Sequence, residues 1–116
     1  MTEGMWYEAL PEITPHDAVT VFRAGKPEAI AKALLGLSFY GQDPDFTLPW
    51  CLFFLSHRDE DVALAAVTSI GHLARVFGRI NKAVAIPALE IARSDHRIAG
   101  TIDSALADIA IFCSET

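Results

Sequence analysis

A step of 36 residues carries Ile30 to Ala66 and Ala66 to Ile102. The same step links Leu34, Ile70 and Leu106; Ala33, Ser69 and Ala105; and Leu37, Leu73 and Ile109. Along each helix the four positions, such as 30, 33, 34 and 37, follow the three-and-four spacing of one face, so one helical face of apolar and small residues is presented three times in register. A helix with such a stripe must bury it against another element. The preceding segments recur at a similar spacing, with Pro15, Pro49 and Pro87 near their starts and Ser56-His57 answered by Ser94-Asp95. Three helix pairs of about 36 residues, none able to bury its stripe alone, stack on one another. The predicted fold is all-α, a short right-handed α-solenoid of about three helix pairs. Residues 1–13, which lack a sustained period, are predicted as an extended N-terminal segment, and 14–116 as a single domain.

The stretch Asp59–Gly78 is the longest and best punctuated helix of the series. Three acidic residues open it, where carboxylates cap free N–H groups and meet the positive end of the helix dipole. Gly78 closes it in the left-handed conformation. Val62, Ala66, Ser69, Ile70, Leu73 and Phe77 form its buried stripe, and Thr68, His72 and Arg75 lie opposite, with Arg79 just beyond the end. A first helix starts at Thr14-Pro15 and stops at Gly25; a second restarts at Pro27 and ends at Gly41. Gln42-Asp43-Pro44-Asp45 reads as an acidic, turn-forming linker. Leu48–Leu55 is apolar almost all round; its helical neighbours favour a short buried helix over a strand. A fifth helix runs from Lys82 to about Arg93 with Asn81 as its cap. The sixth is capped at Ser94-Asp95 and carries Ile98, Ile102, Ala105, Leu106, Ile109 and Phe112.

Composition removes several functions. With 116 residues there is room for one core, not two. The hydrophobic fraction of 52% and mean hydropathy of +0.30 are high, yet no apolar run approaches the ~18 residues of a bilayer span. The beginning has no basic stretch followed by an apolar one, so nothing in it signals export. Cys51 and Cys113 sit in apolar helical patterns without metal-type spacing; buried reduced thiols fit a cytoplasmic protein. The net charge of −6 is spread, with seven acids and four bases in residues 1–58 and eight and five in residues 59–116. Such a surface repels nucleic acid and favours a basic partner.

Two resemblances bear on function. Asp61-Val62 followed by Ala66 and Ile70, and Asp95 followed by Ile98, Ile102 and Leu106, resemble the turn and second helix of HEAT-type repeats, where an aspartate and a β-branched residue open the second helix. The likeness covers roughly residues 14–113, although the first pair has Lys26-Pro27 at its turn instead of an aspartate. Gly71-His72-Leu73-Ala74-Arg75-Val76-Phe77-Gly78-Arg79-Ile80, Ile86-Pro87-Ala88-Leu89, Ile98-Ala99-Gly100 and Ala107-Asp108-Ile109 are also similar to phrases in small HEAT-like immunity proteins encoded beside bacterial contact-dependent toxins.

No combination of residues builds a catalytic centre. Ser69 and His72 are three apart, but Ser69 belongs to the buried stripe and His72 points about 60° away from it. His57 with Asp59 and Asp61 lacks a second histidine one turn away, so a capped helix start is preferred to a metal site. Gly36, Gly41, Gly71 and Gly78 form no strand-turn-helix phosphate cradle. His16 and His96 read as surface residues in first turns, Trp6 as an anchor onto the first helix and Trp50 as a core or subunit contact.

What remains is a binding surface. In a HEAT-like stack the second helices line the concave side, which places Lys32, Thr68 and Ser104, then Gly36, His72 and Asp108, then Phe39, Arg75 and Ile111 in transverse rows. Asp59, Glu60 and Asp61, with Asp43 and Asp45, add a negative rim. The predicted partner-binding residues are therefore Asp43, Asp45, Asp59, Glu60, Asp61, Thr68, His72, Arg75 and Asp108, with no cofactor or metal. The resemblance implies a non-enzymatic immunity protein, monomeric or weakly dimeric, that occludes a toxin domain such as a basic nuclease (an RNase) without itself touching nucleic acid or membrane. A general adaptor using the same face is the alternative. A bilin-lyase-like activity, suggested by repeat length, ranks below both, since the chain is short for enclosing a tetrapyrrole.

Overall fold

Six α-helices account for most of residues 12–40 and 43–113, the residues described by this computed structural model. They are α1 (Pro15–Ala24), α2 (Pro27–Phe39), α3 (Pro44–Phe54), α4 (Glu60–Phe77), α5 (Lys82–Ala92) and α6 (Ala99–Phe112). No strand occurs among the described residues. The expected extended segment lies outside them apart from Glu12 and Ile13, as do Trp6 and the expected stop at Gly41.

Local chemistry accounts for most boundaries. Thr14 Oγ1 accepts the Asp17 N–H at 3.1 Å and Pro15 takes the first helical position, where its missing N–H costs nothing. Asp59 Oδ1 accepts from the N–H groups of Asp61 (2.9 Å) and Val62 (3.2 Å). Gly25 (φ 83°) and Gly78 (φ 66°) close α1 and α4 in the left-handed conformation, each returning its N–H to a carbonyl of the last turn.

Three expectations are corrected. Asp43-Pro44-Asp45 is no linker: the Asp43 carboxylate caps the Asp45 N–H at 2.9 Å and Pro44 opens α3, so the acids belong to its first turn. Pro49 accordingly lies deeper in its helix than expected, at the sixth position of the eleven-residue α3, the position Pro87 holds in α5, whose start at Lys82 is as expected. An internal proline leaves the carbonyl four residues back without its donor. Here those residues, Asp45 and Ala83, are exposed like the prolines themselves, so water reaches the freed groups. Asp95 caps no helix either. It accepts from the Arg97 N–H at 3.0 Å in a turn, and α6 begins only at Ala99. Asn81 holds the cap position of α5 without a side-chain bond.

The helices form two layers. α4 packs along α2 on one side and along α6 on the other, while α1, α3 and α5 each pack on the helix that follows them. The 36-residue rows are the seam of the inner layer: Ile30, Ala66 and Ile102, and Leu37, Leu73 and Ile109, are almost wholly buried. Only Leu106 among the twelve row positions is partly exposed. Because α4 is enclosed from three directions, burial spreads beyond its expected stripe to ten of eighteen residues, including Ala63, Ala65, Val67, Gly71 and Ala74. Small side chains on these extra faces let the neighbouring helices approach closely.

Candidate partner-binding surface

The inner layer presents α2, α4 and α6 side by side, and two contacts define their register. The Phe39 ring meets the His72 ring edge-on at 4.4 Å between centroids, and Arg75 Nη1 lies 3.5 Å from Asp108 Oδ2. Both pairs are 33 residues apart, so they are one contact repeated in successive helix pairs, and the three helices run parallel. Arg75 Nη2 also lies 3.3 Å from His72 Nδ1. A guanidinium only donates, so Nδ1 accepts and the imidazole is neutral with its proton on Nε2. Burial pushes the His72 pKa below 6.5; Arg75 lowers it further, and Asp108 partly opposes both. Phe39, His72, Arg75 and Asp108 thus form a continuous strip across all three inner helices.

Gly71 makes that strip possible. A Cβ there would stand 2.9 Å from Asp108 Oδ2, so the carboxylate lies over a bare patch of the α4 backbone. Thr68, beside the strip, is exposed together with Lys32 and Ser104 of its row. His72, Arg75, Asp108 and Thr68 are therefore brought together.

The acidic residues divide into two groups. Asp59, Glu60 and Asp61 stand at the N-terminus of α4, and Asp43 and Asp45 at the N-terminus of α3. Asp59 lies past the other end of α3, so the length of that helix, about 16 Å, separates the groups and no continuous rim forms. Asp43 and Asp59 also serve as caps.

Arg97, which no sequence spacing singled out, joins two turns. Its Nη1 donates to Arg58 O at 2.7 Å and its Nη2 to His57 O at 3.1 Å, while Nε and Nη2 fork onto the Asp95 carboxylate. The fork holds the Asp95 carboxyl below the usual carboxylate range. Arg97 also brings positive charge to Asp59 and Glu60. The only sequence trace of this link is that its ends lie 39 and 40 residues apart, about one repeat.

The pairs considered for chemistry come apart. Ser69 is wholly buried and its Oγ has no hydrogen-bond partner, while His72 Nδ1 is taken by Arg75. His57 Nδ1 accepts the Asp59 N–H at 3.0 Å. No cluster of three metal-ligating side chains occurs among the described residues. Burial raises the Cys51 thiol to about 12, and both cysteines are free. Among the described residues no helix is long and apolar enough to cross a membrane.

The fold defines a class, the all-α proteins built from stacked helix pairs. No family model and no curated protein matches the sequence. Among solved structures the chain is similar to one in the crystal structure of the CDI complex from Cupriavidus taiwanensis LMG 19424, with 30% identity and a TM-score of 0.78 over 88% of this chain and 90% of that one. This protein belongs to the family of that CDI-complex chain, and it resembles small immunity proteins of contact-dependent toxin systems.

Proposed function

We propose that this chain is an immunity protein that binds and neutralises the toxin domain of a contact-dependent system, and that the toxin is a basic nuclease, an RNase in particular. The observation that carries the reading is the match in sequence and fold to a component of a CDI complex. The net charge of −6 supports the finer part: a nuclease must attract phosphate, and an acidic inhibitor competes for the same positive surface. Inhibition is stoichiometric occlusion in the cytoplasm, with no chemistry on this chain. Asp59, Glu60 and Asp61 steer the encounter, and the strip through His72, Arg75 and Asp108 takes part in the contact.

The reading predicts a toxin domain encoded beside this chain's gene, and the test is co-expression with it. Growth should be restored, and purified toxin should lose its RNA cleavage linearly up to one equivalent of this protein. Continued growth arrest with both proteins present rejects the immunity role, and a toxin without nuclease activity rejects the finer reading. Asp59→Asn with Asp61→Asn keeps the caps, since asparagine also accepts there. It should slow association and flatten its salt dependence; unchanged association kinetics would remove that turn from the encounter.

A further inference from the structure

Of the eight large hydrophobic side chains exposed among the described residues, five gather at the C-terminal ends of the inner helices: Phe39, Tyr40, Val76, Ile111 and Phe112. The 36-residue step links Tyr40, Val76 and Phe112 in one row and Phe39, Arg75 and Ile111 in the next, with Arg75 at the centre. These helix ends are in contact. Phe39 rests on His72, a Cβ on Gly78 would lie 3.6 Å from Phe112 O, and Cys113 Sγ donates to Ala74 O at 3.8 Å. The five residues are 38–67% exposed, and the largest apolar patch on a monomer, roughly 300–600 Å², is often a functional one.

We propose that this C-terminal edge of the inner layer is where the toxin domain docks, against a toxin face that is apolar at its centre and offers a hydrogen-bond acceptor to Arg75. The proposal rests on the immunity reading and names the surface that holds the complex together. Aromatic residues and arginine are the types that dominate binding energy at interface centres, and Arg75 is already oriented by His72 and Asp108. A second copy of this chain fits the edge poorly, because a symmetric contact centred on Arg75 would oppose two guanidinium groups and bring together two bodies of charge −6. The acidic turn stands at the other end of α4, about 27 Å away. The two ends therefore divide the work: charge at the N-terminal end accelerates encounter, and apolar burial at the C-terminal end slows separation.

The experiment measures association and dissociation rates with a purified, catalytically inactivated form of the toxin domain that the immunity reading places beside this gene. Val76→Ser with Ile111→Ser should raise the dissociation rate at least tenfold and leave association unchanged, with the helical circular dichroism intact. Ile91→Ser is the control, since Ile91 is 77% exposed on the outer helix α5, and it should change neither rate. A dissociation rate within twofold of wild type for the edge variant, or a loss of binding in Ile91→Ser instead, overturns the proposal. Absence of binding by the wild-type chain overturns the immunity reading beneath it, which is a distinct result.

Discussion

Gly71→Ala sets two effects of opposite sign against each other at one atom. An alanine in a helix interior is favoured over glycine by about 0.8–1.0 kcal/mol. The new methyl would sit 3.6 Å and 3.7 Å from the Cα and Cβ of Ala105, ordinary contact distances, and only Asp108 Oδ2 at 2.9 Å is too close. That oxygen ends a rotatable side chain, so it can swing away at the cost of its 3.5 Å pair with Arg75. The Arg75 side chain is 46% exposed, and a pair so open to water is worth about 0–1 kcal/mol. The expected net is a gain of roughly 0.5 kcal/mol, or about 2 °C in Tm. Urea denaturation of wild type, Gly71→Ala, Asp108→Ala and the double variant measures it. With Asp108 already removed the gain should rise toward about 1 kcal/mol. If Gly71→Ala instead destabilises by more than about 1 kcal/mol in both backgrounds, the spacing of α4 and α6 admits no methyl, and the cost does not come from Asp108.

Three further outcomes are expected. Ser69→Ala should leave stability unchanged or raise it by up to about 1 kcal/mol, because the buried Oγ has no partner to lose; a clear loss in urea denaturation would show that the hydroxyl is hydrogen-bonded. His72 has a folded pKa below 6.5, so the unfolded chain binds the extra proton first, and stability from this site is complete above pH 6.5 and lost as pH falls from there toward the folded value. Comparing denaturation at pH 5.5 and 7.5 should show a smaller drop in His72→Gln than in wild type, and an equal drop would remove His72 from the linkage. Arg97→Lys should lower Tm and speed amide exchange around residues 57–60 almost as much as Arg97→Ala, because lysine keeps the charge but cannot reach both carbonyls and Asp95 together; wild-type exchange in the lysine variant would refute the clamp.

Period and punctuation carried the fold in the sequence. The rows through Ile30, Leu34, Ala33 and Leu37 are local patterns, and the packing that buries them follows wherever helices of that spacing can stack. The caps at Thr14, Asp59 and Gly78 are equally local, since each bond closes within four residues. The start of α3 was less legible, because Asp43-Pro44 suits a turn and a helix start alike, and only the burial of Pro44 and Thr47 distinguishes them.

In the candidate site, the membership of His72, Arg75 and Asp108 could be read from the repeat step, because equal positions in successive repeats fall side by side. Their partners could not. Arg75 reaches back one turn to Asp108 across the helix interface, Gly71 is bare because that carboxylate lies on it, and Arg97 closes a gap between turns. The sequence by itself determined that the chain is helical and which stripe of each inner helix faces the core, because both depend on neighbours three and four positions away. Only the tertiary structure decided which apolar side chains are exposed to solvent at the C-terminal edge and which charges are already engaged, because each depends on atoms contributed from a full repeat away.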